Sequence, residues 1–333
     1  MSFLQARACQ RIHGLSDVHY DIEALLDAKI ELGKVAARGH SWDLFISAYN
    51  NSQRVQTVFS RVPAARRSWW VIPEYGYGLT DLALLENPVV IARGSEAQVV
   101  KAGLAGSRFD PTRDQRLCID ITGLMRPHIL FLMAHLQDIG VTQFDLLYTE
   151  PAQYSRRVET RFSIGEDVRV VSVEGFVGTH DPDTSGDLLV VGIGYDHHLI
   201  SHAIQAKENA RVVELHSFPS LSADMYHESI LRLDRVSSER SRVSDEVEYS
   251  SANDPFVVAA ALASALRVAA TRRRVTNIYL SPLATKPQAV GFGLHYLRRM
   301  RGTATSIIYP LHLSYDKETS TGVGRSWIYP VYL

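Results

Sequence analysis

Cys118-Ile-Asp-Ile-Thr-Gly-Leu-Met-Arg-Pro127 and Asn277-Ile-Tyr-Leu-Ser-Pro-Leu-Ala-Thr-Lys-Pro287 read as one passage written twice. Each opens as an apolar strand, breaks in a tight polar loop, and ends on a basic residue followed by proline. A helix-like stretch follows each, then a second apolar strand, Leu146-Leu147-Tyr148 or Ile307-Ile308-Tyr309, with another tyrosine beyond it at Tyr154 or Tyr315. His135 and His295 hold the same place in the two helices. A strand, loop, helix and strand in this order form a βαβ unit, which implies a parallel sheet.

Working outward, the same alternation fills both halves. Strands are expected at 43–49, 69–72, 88–92, 117–121 and 144–148, with helices running to about residue 60 and over 95–105 and 127–139. After a turn-rich link, Thr179-His-Asp-Pro-Asp-Thr-Ser-Gly186, the pattern restarts. Strands then fall at 187–193, 211–216, 277–281 and 304–309, and helices at 197–207, near 222–231, and over 255–270 and 287–299. Residues 168–173 read as an edge strand or hairpin, and the tail 325–333 as a strand added to a sheet edge. The polar stretch 237–251 reads as a surface loop. The expected architecture is therefore α/β, with two Rossmann-like parallel-sheet lobes related by internal duplication about a pseudo-twofold axis. The expected divisions are an N-terminal helical arm over 1–40, a first lobe over 41–178 and a second over 179–333.

Bulk properties narrow the function. The 333 residues carry a formal net charge of -1 and are 46% apolar, so nothing global attracts duplex nucleic acid or an anionic membrane. An anionic ligand would need a local site. Two cysteines and an opening Met1-Ser-Phe-Leu-Gln-Ala-Arg7 without a signal-peptide pattern give a cytoplasmic expectation. The longest apolar run, Phe256 to Ala270, contains Ser264 and Arg267 and reads as a buried helix.

The two basic-Pro steps carry the chemistry. Proline is favoured at the first position of a helix, which puts Arg126 and Lys286 at two helix mouths. A mouth already bears partial positive charge and free N–H donors. A cation there becomes favourable when an anion shares the place, and such loops lie at the carboxyl ends of parallel strands, where ligands bind. Thr122, Ser281 and Thr285 add hydroxyls, and Gly123 permits close backbone approach. Tyr49, Asn50, Asn51 and Arg54 in the first half, with Gly194, Tyr195, Asp196, His197 and His198 in the second, are expected to line the same crevice. The tyrosines can stack on bases there. His198 and His202 share a helix face and raise a metal reading, but no third ligand is evident, and neither a metal nor another cofactor is expected. No catalytic triad, Walker loop, zinc spacing or complete dinucleotide fingerprint occurs.

At Ile119-Asp-Ile-Thr-Gly-Leu-Met-Arg-Pro127 and Leu280-Ser-Pro-Leu-Ala-Thr-Lys-Pro287 the chain resembles the CRISPR-associated Rossmann-fold (CARF) family and the related SAVED sensors. Asp120, Thr122, Gly123 and Arg126 match in the first copy, and Thr285, Lys286 and Tyr309 in the second. Neither copy has that family's double glycine, and the second lacks its aspartate. The resemblance implies a sensor of oligonucleotide second messengers in bacterial antiviral defence, holding its ligand between two lobes and acting through a separate effector protein. The alternatives are an enzyme degrading such a nucleotide, of ring-nuclease or nucleoside-hydrolase type with His197, His198 or Tyr49 as acid or base, and a non-catalytic assembly subunit.

Overall fold

The computed structural model describes residues 27–37, 39–83, 85–86, 88–154, 168–194, 196–221, 246–311 and 320–333. The helical arm expected before residue 40 lies mostly outside these residues. Its described part is a two-residue strand β1 (Ile30–Glu31) and a short helix α1 (Leu32–Ala37). The helix expected near 222–231 is also outside them, as is Tyr195.

The first lobe runs β2 (Trp42–Ala48), α2 (Gln53–Arg61), β3 (Ala64–Val71), a 3-10 turn (Pro73–Tyr75), α3 (Leu79–Leu82), β4 (Val89–Val90), α4 (Glu96–Gly106), β5 (Leu117–Asp120), α5 (Arg126–Asp138) and β6 (Gln143–Thr149). After β7 (Gln153–Tyr154) and β8 (Arg169–Ser172), the second lobe runs β9 (Leu188–Ile193), α6 (His197–Gln205), β10 (Arg211–Ser217), β11 (Glu246–Ser250), α7 (Pro255–Arg272), β12 (Ile278–Pro282), α8 (Lys286–His295) and β13 (Thr305–Leu311). β14 (Ser320–Thr321) pairs with β7, and β15 (Ser326–Tyr332) ends the chain.

The two main sheets have the order β1-β15-β6-β5-β2-β3-β4 and β11-β10-β9-β12-β13-β8. Read from β15 in one and from β8 in the other, they match strand for strand. In each, one antiparallel strand is followed by five parallel ones. The strands β5 and β12, which carry the repeated passage, occupy the same position in both sheets.

The antiparallel strands are exchanged. β8 follows the first lobe in the chain but pairs with β13 of the second. β15 follows the second lobe but pairs with β6 of the first, through all seven of its residues. Sheet membership therefore crosses the expected boundary at 178/179 twice, and the expected edge strand at 325–333 lies inside the sheet, between β1 and β6. Glu246-Val-Glu-Tyr-Ser250, read from its polarity as loop, is the edge strand β11. Its residues alternate between more and less exposed, the period of a half-buried strand.

Local chemistry sets these elements. Leu188-Leu-Val-Val-Gly-Ile193 is buried at every position, as a parallel strand covered on both faces should be. Asp254 caps α7 by accepting from Phe256 N (3.2 Å) and Val257 N (3.3 Å), ahead of Pro255. Ser95 and Gln98 form a capping box on α4. The helix α7 is long and apolar enough to cross a membrane by composition alone. Here Val258, Leu262, Ala265 and Ala269 are fully buried in the protein core.

One hydrophobic core runs through both sheets. Helices α5 and α8 pack across it, and a Cβ at Gly293 would lie 3.0 Å from the Leu130 side chain and 3.3 Å from Met133. A polar seam joins the lobes beside it. Glu150 accepts from Asn253 Nδ2 (2.5 Å) and Trp327 Nε1 (2.8 Å), and the Tyr329 hydroxyl donates to the Asn253 carbonyl (2.8 Å).

Candidate functional site

Helices α5 and α8 begin at the carboxyl ends of β5 and β12, and their first residues are Arg126 and Lys286. Both side chains are half-buried and both cross into the other lobe. The Arg126 guanidinium donates to the Ala284 carbonyl and to the Tyr309 hydroxyl (3.3 Å). The Lys286 ammonium donates to the Thr122 carbonyl. Arg54, at the start of α2, lies close enough for its charge to act on Lys286; it is buried and donates to the Thr149 carbonyl at 2.9 Å.

Each of these acceptors is neutral. The Nε atoms of Arg54 and Arg126 are buried with no hydrogen-bond partner among the described residues. Burial, then the nearby Arg54 and Arg126 charges, hold the Lys286 amine well below the ordinary lysine range, and Asp120 only partly offsets them. Asp120 is fully buried, and burial raises its carboxyl against the pull of Thr122, Ser47 and Lys286. It accepts from Ser47 Oγ (2.8 Å) and Thr122 N (2.9 Å), so its oxygens shape the loop after β5. Lys286 thus feels two other cations, Arg54 and Arg126, against the single carboxylate of Asp120. An under-compensated buried charge costs several kcal/mol, while a hydrogen bond from a cation to a neutral group returns roughly 1.5–3 kcal/mol. The arrangement favours an anion.

The other expected site residues divide. Thr122 belongs to the cluster through its carbonyl, and its hydroxyl accepts from Thr149 N (3.0 Å). Gly123 is required by the protein itself: a Cβ there would lie 2.2 Å from the Ala48 carbonyl oxygen. Gly194 marks the same kind of approach in the second lobe, 2.3 Å from the Leu283 carbonyl oxygen. Thr285 is the cap of α8, accepting from Gln288 N (3.2 Å) and donating to the Ala252 carbonyl (2.6 Å). Ser281 is fully buried, with no partner for its hydroxyl among the described residues.

Tyr49 is not an open stacking platform. It is buried against Trp69 and Tyr77, with ring centroids 5.5 Å and 4.9 Å away. Asn50 turns the chain into α2 by accepting from Ser52 N (2.9 Å). His197 and His198 open α6 with rings 4.1 Å apart, and Asp196 caps that helix through Leu199 N (3.3 Å). Among the described residues no group of three or more His, Cys, Asp or Glu side chains is placed to hold a metal ion.

Three contributors were not among the ligand-site residues expected from sequence. Tyr75 donates to the Gly123 carbonyl (2.9 Å) and so braces the loop before Arg126. Thr149 holds Arg54 and Thr122 together. Beside them His128, two residues after Arg126, faces Glu74 at 3.4 Å. Burial raises the Glu96 carboxyl, and the Glu174 charge adds to it. Glu174 accepts from Ser95 Oγ (3.2 Å) and Ala97 N (3.0 Å), so the acidic residues here serve the start of α4. Compared with known families and with characterised proteins, the sequence matches no family model and no characterised protein.

Proposed function

We propose that this chain is a nucleotide-binding sensor that holds a phosphate-bearing ligand between its two lobes. The supporting observation is the convergence of Arg54, Arg126 and Lys286, drawn from both lobes, on a site with one enclosed carboxylate. Phosphoryl oxygens would supply the missing negative charge and accept from guanidinium N–H groups that now lack partners. Two Rossmann-like sheets present the carboxyl ends of β5 and β12 to this place, which is where open α/β sheets bind ligands. The resemblance to CARF and SAVED sensors points to a cyclic oligonucleotide-like ligand, a role in bacterial antiviral defence and a separate effector.

The test is thermal unfolding with and without cyclic oligonucleotides, together with native mass spectrometry of freshly purified protein for a retained nucleotide. Arg126→Glu and Lys286→Glu are expected to stay folded and to lose all ligand-induced stabilisation. Full stabilisation retained in both variants would place the ligand elsewhere. Cleaved product accumulating with the wild-type protein would make the chain an enzyme on that ligand.

A further inference from the structure

We propose that Arg126 and Lys286 form a reciprocal latch between the lobes, and that a phosphoryl group entering the site opens it. This rests on the anion-binding reading above and adds the consequence of occupancy.

The geometry is crossed. Arg126 belongs to the first lobe and holds Ala284 and Tyr309 of the second. Lys286 belongs to the second and holds Thr122 of the first. Each cation therefore clamps the loop that leads into the other lobe's helix, and both clamps end on backbone carbonyls. A phosphoryl oxygen carries net negative charge where a backbone carbonyl carries only a dipole, and the Coulomb attraction to a half-buried cation is correspondingly larger, so phosphoryl oxygens displace those carbonyls. The displaced groups are the backbone of 121–125 and 283–285, which then lose their link across the interface.

The lobes themselves do not part. The exchanged strands β8 and β15 tie each sheet to the other half of the chain. The contact of α5 with α8 and the seam of Glu150, Asn253 and Trp327 are independent of the cations. The change is confined to the two loops.

Hydrogen–deuterium exchange on the full chain, with and without inorganic pyrophosphate, tests this, with binding followed separately by calorimetry. Expected is faster exchange in 121–125 and 283–285 when pyrophosphate is bound, with β5 and β12 unchanged. Lys286→Met is expected to show the fast exchange over 121–125 without pyrophosphate, while 283–285 stays held by Arg126. Should that variant fail to fold, Tyr309→Phe removes one acceptor of Arg126 and is expected to show a smaller rise over 283–285. Pyrophosphate that binds while both loops slow or stay unchanged overturns the latch and leaves the anion site standing. Pyrophosphate that does not bind overturns both.

Discussion

Arg126 and Lys286 open equivalent helices and reach past one another, each bonded to the lobe that supplies the other. Their separation in the chain is large, and the matching strand orders of the two sheets bring them together. Like charges held this way have consequences for stability as well as for binding.

Lys286 gives the first. Its folded pKa is depressed, by burial before anything else. The unfolded chain therefore binds the proton more tightly, and wild-type stability rises with pH until the ordinary lysine value is reached, about 10.4. Lys286→Met removes that dependence. Urea unfolding at neutral pH and near pH 10 should show wild type gaining on the variant as pH rises. A constant difference across the range would mean that the amine is not penalised in the folded state.

Ligand binding should reverse the same shift. An anion beside Lys286 favours the charged amine, so pyrophosphate binding at alkaline pH, just below the ordinary lysine value, should draw protons onto that amine. Calorimetry in buffers of different ionisation heat reads this directly. Lys286→Arg, always charged, should take up fewer protons on binding than wild type under the same conditions. Equal proton uptake in the two proteins contradicts the assignment.

Gly123 and Gly194 mark close approaches between neighbouring loops in the two lobes. In the first lobe the glycine is on the loop after β5 and meets the end of β2; in the second it ends β9 and meets the loop after β12. Either alanine variant would drive a Cβ into rigid backbone, and each is expected to cost at least about 3 kcal/mol or to prevent folding. Gly33→Ala, in α1 with nothing within 4 Å of the added carbon, should be neutral or stabilising by up to about 1 kcal/mol. Equal effects at all three positions, measured by chemical denaturation, would refute the close-approach argument.

The α/β class and the pairing of Arg126 with Lys286 were legible because both rest on local signals: apolar strands, a proline at the first helical turn, a cation before it. Strand exchange was not. Val168-Arg-Val-Val-Ser-Val173 and Ser326-Trp-Ile-Tyr-Pro-Val-Tyr332 announce strands, but nothing in either says which sheet will take it. Tyr49 misled for a related reason. An aromatic residue at a strand end has the same sequence signature whether it faces a ligand or, as here, Trp69 and Tyr77. Arg54 was visible as a basic residue near a helix start, but its burial under the other two cations depends on Thr149 from a distant strand.

His295, nine residues after Lys286, sits at the end of α8, is 7% exposed, and has a buried Nε2 with no partner among the described residues. Burial, helped by Arg299, pushes its pKa down to about 4. The sign follows from the unfolded chain, whose histidine titrates near 6.5. Between those values the unfolded state binds the proton and the folded state does not, so stability is complete above about pH 6.5 and falls as pH drops toward 4. At 1.36 kcal/mol per pKa unit the loss approaches about 3 kcal/mol. His135, at the matching place in α5, is lowered in the same direction by burial and Lys101, and adds to the slope. His295→Leu removes the larger contribution without introducing a polar group. Urea unfolding at about pH 7 and about pH 4.5 should show the variant losing clearly less stability on acidification than wild type. Parallel losses in the two proteins would mean that the imidazole of His295 reaches water in solution.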